Sequence, residues 1–332
     1  MVTLFYTKIH NEFFIFLGVA LHYTIHLINK FFLKGDGILK KFWQIIACSG
    51  LVLTSCLGGV AQAQDEKSDV EYYYQGEKVN LDKAVSISQN YDVVFFDEYH
   101  DQKSIHEEEL SFFQEMYKQN KGMILSMEMF ERDVQSVMDK YLNDEITEIE
   151  FINNSRPWEN YQTDYKPLVE FAKEKDMYVL ASNIPRRIAN QYTKVGDLAL
   201  IEDKDKIYLP KKHLVEYERY YDKFKNYMSM GDGQSHMMMT PERIEAFYKA
   251  QCLKDDTMAE SIVEFLKEHK DTKVLHVQGS FHGDEHLGVV EKANKLNPSL
   301  KTIVITPIEA KDYEKMKHNY GEDTIIMTFV RK

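Results

Sequence analysis

Six short apolar runs, separated by segments with helical spacing, constrain the fold of this chain more than any other feature. The runs are Asp92 to Phe96, Met123 to Met127, Met177 to Ala181, Lys273 to Val277, Thr302 to Thr306 and Ile325 to Val330. They are rich in β-branched and aromatic residues and largely apolar at successive positions, the pattern of strands covered on both faces. Between them, Ile105, Leu110, Phe113, Met116 and Tyr117 share one helix face, as do Leu168, Phe171 and Ala172. Strands alternating with helices predict an α/β fold with a mostly parallel or mixed central sheet flanked by helices. The connection from Asp312 to Glu322 is polar and short, which predicts an antiparallel last strand. Residues 203–268 break the rhythm with long helical patterns on either side of Gly231-Asp232-Gly233, and Pro241 suits a first helical turn. A helical insertion packed over one end of the sheet is expected there.

Polar residues cluster where the strands end. Asp97-Glu98-Tyr99-His100-Asp101 follows the first run, and Glu128 follows the second. Asn183-Ile184-Pro185-Arg186-Arg187 follows the third, and Gly279-Ser280-Phe281-His282 the fourth. Ligands of open α/β sheets bind outside the carboxyl ends of strands, where loops converge. Each piece alone has an ordinary reading as a loop cap or a surface ion pair. Together they bring carboxylate, imidazole, amide and guanidinium groups to one edge, and burying several such groups is costly unless it is useful. Glu98, His100, Glu128 and His282 can hold a divalent cation, or place a general acid and base about a substrate. The common zincin, α/β-hydrolase, Walker and dinucleotide-binding motifs are absent from the sequence. Tyr227-Met228-Ser229-Met230 and His236-Met237-Met238-Met239 offer soft and phenolic ligands, although methionine is first of all adaptable packing material.

The amino-terminal segment points to export. Lys40-Lys41 precede an apolar stretch from Phe42 to Thr54 that ends in Leu53-Thr54-Ser55-Cys56, a signal peptide closing on a bacterial lipobox. A lipid on Cys56 would anchor the protein to a membrane of the cell envelope. Cleavage after Ala61-Gln62-Ala63 would instead release it, secreted or periplasmic. The expected layout is an upstream extension or extra hydrophobic segment at 1–39, with translation starting near residue 38. A signal peptide at 40–55, a tether at 56–79 and one α/β domain at 80–332 follow it. The net charge is -12, and residues 1–55 carry five lysines against Glu12 and Asp36. The remainder therefore stands near -15, unsuited to nucleic acid or an anionic lipid surface. Of the three cysteines, Cys48 and Cys56 lie in the leader and leave Cys252 without an intrachain disulfide partner in the body.

The ordered motifs resemble the ChaN-like haem-binding uptake lipoproteins, more distantly erythromycin-esterase-like and Tiki/TraB-type proteins. That family's opening G-E-x-H-D with a following histidine is matched by Glu98, His100, Asp101 and His106. Its E-M-F-x-R-D-x-Q is Glu128 to Gln135, and its N-I-P-R is Asn183 to Arg186. An A-Q-x-x-x-D-x-x-M-A pattern falls at Ala250-Gln251, Asp255 or Asp256, and Met258-Ala259; allowing the spacing, Asp256 is taken as the acidic member, just before Thr257-Met258. Gly279, Ser280, His282 and Leu287-Gly288-Val289 close the series, so the resemblance spans about residues 80–310. Asp97 stands where glycine is usual, Ile105 where a first histidine is common and Glu109 where glutamine is common. The resemblance implies haem binding in envelope iron uptake, with haem at a homodimer interface. Arg186 or Arg187 would meet the propionates, and Tyr161, Tyr165, Tyr227 or His236 would supply the axial ligand. The competing expectation is a metal-assisted or acid/base hydrolase built on Glu98, His100, Glu128 and His282.

Overall fold

The computed structural model of the protein describes residues 70–230 and 239–331; the leader with Cys56, and His236, lie outside the described residues. A hairpin comes first. Strands β1 (Glu71–Tyr74) and β2 (Glu77–Val79) pair antiparallel around Gln75 and Gly76, both at positive φ. Positive φ at both central residues matches the right-handed twist of the flanking strands. Residues 71–79, expected as the end of a tether, therefore belong to the sheet. Their strand pattern is obscured in the sequence because Tyr72 alone is buried, among Glu, Lys and half-buried Tyr.

The body continues through α1 (Leu81–Ser88), β3 (Val93–Glu98), α2 (Lys103–Gln119), β4 (Ile124–Glu131), α3 (Gln135–Leu142) and α4 (Glu148–Ser155). A π-helical turn, Tyr161–Tyr165, leads into α5 (Lys166–Glu174), β5 (Val179–Asn183) and α6 (Arg186–Val195). Then come α7 (Arg219–Met230), α8 (Pro241–Glu268), β6 (Val274–Gly279), α9 (Val289–Leu296), β7 (Thr302–Glu309), α10 (Tyr313–Met316) and β8 (Thr324–Phe329). The eight strands form one sheet in the order β2-β1-β8-β7-β3-β6-β4-β5. Pairings among β3 to β8 are parallel, and β1 joins β8 antiparallel. The sheet is thus mixed, as the sequence implies.

Strand β8 corrects one expectation: it runs parallel to β7. The chain from Ala310 to Asp323 carries short 3-10 turns and α10, enough length for a crossover that returns the chain to the same end of the sheet. Alternation along each strand feeds two cores. Val94, Phe96, Leu125, Val277 and Ile305 pack with α1 to α5 on one face, and Val93, Phe95, Val274 and Val304 pack with α8 and α9 on the other. Helix α8, capped by Thr240 and opened by Pro241, is 28 residues long. Its carboxyl half, through Met258, Ala259, Ile262 and Val263, is a layer of the sheet's own cover rather than an appendage at one end. Among the described residues no helix is long and apolar enough to cross a membrane.

Candidate functional site

Strict alternation decides where the strand-end carboxylates point. Phe96 faces α2, so Glu98, two residues on, faces α2 as well. Ile124 and Ser126 face α8, and Glu128 follows them, because β4 continues to Glu131 instead of stopping at Met127. Glu98 and Glu128 therefore lie under opposite faces of the sheet, at the same strand-end edge.

Glu98 is completely buried, and its Oε1 accepts from Tyr165 Oη at 2.7 Å and pairs closely with His100 Nδ1. His106, on the first turn of α2, places Nδ1 3.1 Å from Glu98 Oε2 and 3.1 Å from Glu109 Oε2. Burial would raise the Glu98 carboxyl, but hydrogen bonds from His100 and His106 overcome it and hold the group far below the usual range. Burial opposes the charged form of His106 too, yet its two carboxylate neighbours push it up to about 11. Glu109, enclosed and beside a second carboxylate, is raised instead. Tyr165 comes from the π-helical turn, which also brings Trp158 edge-on to His100 at 4.9 Å.

On the opposite face, Glu128 Oε1 meets His282 Nε2 at 3.1 Å, and its Oε2 accepts from the Gly279 amide at 2.8 Å. His282 Nδ1 pairs with Asp255 of α8 at 2.5 Å, and Gln251 one turn earlier reaches the same ring at 3.2 Å. Against burial, Glu128 and Asp255 raise His282 to about 10, while the same pairing, with His100 and Lys254, pulls Glu128 well down. His276 beneath them is pushed down to about 3 by burial and hydrogen-bonds Ser126 as a neutral ring.

The two halves meet at Gly279. A methyl group there would lie 2.8 Å from His100 Cε1 and 3.5 Å from Glu128 Oε2, so glycine is what lets the imidazole approach the β6 backbone. The result is a row: Glu109, His106, Glu98, His100, Glu128, His282, Asp255. Carboxylate and imidazole alternate with one interruption at Gly279. Only His100 is substantially open to solvent, with a side chain 46% exposed. The expected quartet of Glu98, His100, Glu128 and His282 is thus brought together as two bonded pairs, not as four ligands around one point. Among the described residues, the group whose ligand atoms converge is Glu98, His106 and Glu109.

Other expected residues fall elsewhere. Asn183 ties β5 to β4 by donating to the Glu128 carbonyl at 3.1 Å, and Asp101 is exposed and pairs with Arg331. Arg187 is engaged by Asp133 and Asp205; Arg186 is exposed at the start of α6. Of the axial-ligand candidates, Tyr161 and Tyr165 are both buried, Tyr161 among Phe130 and Phe151 and Tyr165 against Glu98. Tyr227 is 66% exposed beside Phe281. Asp256 is corrected. One residue along α8 turns about a hundred degrees, so Asp255 enters the site while Asp256 holds His213, the Leu214 amide and Lys292 outside it. Gln251 and Asp255, four apart and so on one helix face, are the members of the A-Q-x-x-x-D pattern that reach His282.

Removing the imidazole of His282 leaves Glu128 and Asp255 as buried, unpaired carboxylates. His282→Gln should destabilise the protein by about 3–5 kcal/mol at pH 7. Because the histidine is raised in the folded state, its contribution is complete below pH about 6.5 and is lost as pH rises through about 10. Urea unfolding at pH 7 and pH 9.5 should show the gap between variant and parent narrowing at the higher pH; a constant gap counts against the ion pair.

A solved structure, "Cofacial heme binding to ChaN of Campylobacter jejuni", shares the fold at TM-score 0.60 and 16% identity, covering 79% of this chain and 97% of that one. "The structure of the type III effector HopBA1" aligns at TM-score 0.42 and 10% identity over 76% and 94% of the two chains. No curated protein matches the chain. The family model described as "Haem-binding uptake, Tiki superfamily, ChaN" matches residues 85–292, more than half of the 332. The chain belongs to the ChaN family of haem-binding uptake proteins.

Proposed function

We propose that this protein binds haem in the cell envelope as part of iron acquisition. Family membership over residues 85–292 is the observation that carries the reading. The neighbour from Campylobacter jejuni is described as binding haem cofacially, which supports extending the reading to two copies of this chain meeting around haem. The surface residues fit such a ligand. Tyr227 presents a phenol 66% exposed, Phe281 lies 5.5 Å from its ring, and Tyr217 is 51% exposed nearby on the same aromatic cluster. A phenolate is a ligand for ferric haem, and flat aromatic surface suits a porphyrin face. Arg186, exposed and outside any ion pair among the described residues, remains available to a propionate. Haem, when bound, supplies the ferric iron; the chain supplies the oxygen ligand, the aromatic face and the cation.

A lipid on Cys56 would hold this site at a membrane surface, consistent with the basic and apolar leader that precedes it. Labelling cells with radioactive palmitate should mark the parent protein and not Cys56→Ala. An unlabelled parent starting at Gln64 would replace the anchor with ordinary cleavage and release.

Titration of the purified mature protein with haemin should give a saturable Soret shift, and Tyr227→Phe should change the spectrum and weaken binding at least tenfold. A free-haemin spectrum throughout overturns the reading.

One observation favours a second, hydrolytic activity. Glu98 fixes His100 through Nδ1, leaving Nε2 beside Gly279, where Glu128 also approaches, the arrangement of a carboxylate-oriented general base. Haem does not need such a row. Glu98→Gln and His100→Gln should keep haemin binding and abolish hydrolysis of a small ester; unchanged hydrolysis in both variants removes this activity.

A further inference from the structure

Glu98, His106 and Glu109 are enclosed, with side chains 0%, 3% and 0% exposed. The hydrogen bonds around them settle which atoms face inward. Glu98 Oε1 is taken up by Tyr165 Oη and His100, and His106 Nε2 lies 3.3 Å from the His100 carbonyl, a contact in which it donates. In the neutral, metal-ready form, with that proton on Nε2, the lone pair of Nδ1 faces Glu98 Oε2 and Glu109 Oε2, both 3.1 Å away. A single proton on Nδ1 is shared between Glu98 Oε2 and Glu109 Oε2, each 3.1 Å away, and leaves Glu109 Oε1 without a hydrogen bond. Two fully buried carboxylates that share one imidazole nitrogen, with an oxygen left over, make a pocket of donor atoms that a cation would satisfy.

We propose that Glu98, His106 and Glu109 bind one divalent transition-metal ion through two carboxylates and the Nδ1 of the imidazole. Their ligand atoms already lie within 4.8 Å of one another, so a small contraction brings all three to coordination distance. One dication balances the two carboxylates, and the mixed nitrogen and oxygen donors without sulfur suit zinc, cobalt, manganese or ferrous iron. Hydrogen bonds from Tyr165 and His100 to Glu98, and from His106 to the His100 carbonyl, would orient the ligands from outside. The centre does not rest on the haem reading: it uses none of the residues assigned to haem. It also differs from the Glu128–His282 pair, which the Gly279 amide and Asp255 already satisfy.

The test uses chelator-treated full-length mature protein titrated with Co²⁺ alone, read by visible absorption and calorimetry. The expected result is one equivalent bound with ligand-field bands, a raised melting temperature, and buffer-dependent heat from protons displaced by the metal. Glu109→Gln keeps the size and one hydrogen-bonding oxygen of the side chain while removing its charge. It should weaken Co²⁺ at least tenfold and leave the circular dichroism and haemin spectrum as in the parent. Glu128→Gln should bind Co²⁺ as the parent does. If the parent binds no stoichiometric Co²⁺, if Glu109→Gln binds it equally well, or if only Glu128→Gln loses it, the proposal is overturned. The parent titration decides the matter even if a variant fails to fold.

Discussion

The buried carboxylate of Glu98 is the constraint around which the site is arranged. A lone carboxylate removed from water at that depth would take up a proton. It stays ionised because three elements converge on it: the turn after β3 brings His100, the first turn of α2 brings His106, and the π-helical turn brings Tyr165. The π-helical turn makes sense in these terms. An extra residue in a helical turn shifts the following side chains, and such turns recur at functional sites. Here it aims a tyrosine at Oε1 and, through Trp158, covers one side of His100.

The second half of the site obeys the same electrostatics with different parts. Glu128, His282 and Asp255 make a carboxylate–imidazole–carboxylate sandwich in which the cationic ring holds two acids in the interior. Sheet alternation sends this sandwich to the α8 face and the Glu98 group to the α2 face, and His100 passes between them only because residue 279 has no side chain. The two halves are therefore electrostatically adjacent but packed into separate cores. That separation places the four strand-end residues as two pairs on opposite faces, and it leaves room for the proposed haem surface, acid/base pair and enclosed cation site to be distinct.

Much of this was legible in the sequence. Continuous apolar runs marked six of the eight strands, because a strand buried on both faces has no polar positions to hide it. The edge hairpin was not legible: its second strand opens with exposed Glu77 and Lys78, and its first buries only Tyr72 fully. The direction of β8 depended on whether fourteen residues contain a helical turn, a matter of local packing and not of composition. The strand-end rule brings Glu98, His100, Glu128 and His282 to one edge, whereas which helix residues face them, His106 and Glu109 from α2 and Asp255 from α8, depends on packing that the sequence does not display. The strict spacing of A-Q-x-x-x-D-x-x-M-A falls on Asp255, and taking the neighbouring Asp256 instead matters because one residue decides which side of α8 an acid occupies. Burial of Tyr161 and Tyr165 was equally invisible, since a tyrosine in a loop-like stretch carries no signal of the aromatic cluster that will enclose it.

Asp255 and Asp256 have a further consequence. The first grips His282 inside the site; the second grips His213, the Leu214 amide and Lys292, and so anchors the irregular chain that leads into α7. Neighbouring peptide units on one helix share a backbone and turn together. Rotation of α8 at this point would pull on both grips at once, so the chain bearing Tyr227 and the buried imidazole are mechanically geared through a single peptide bond.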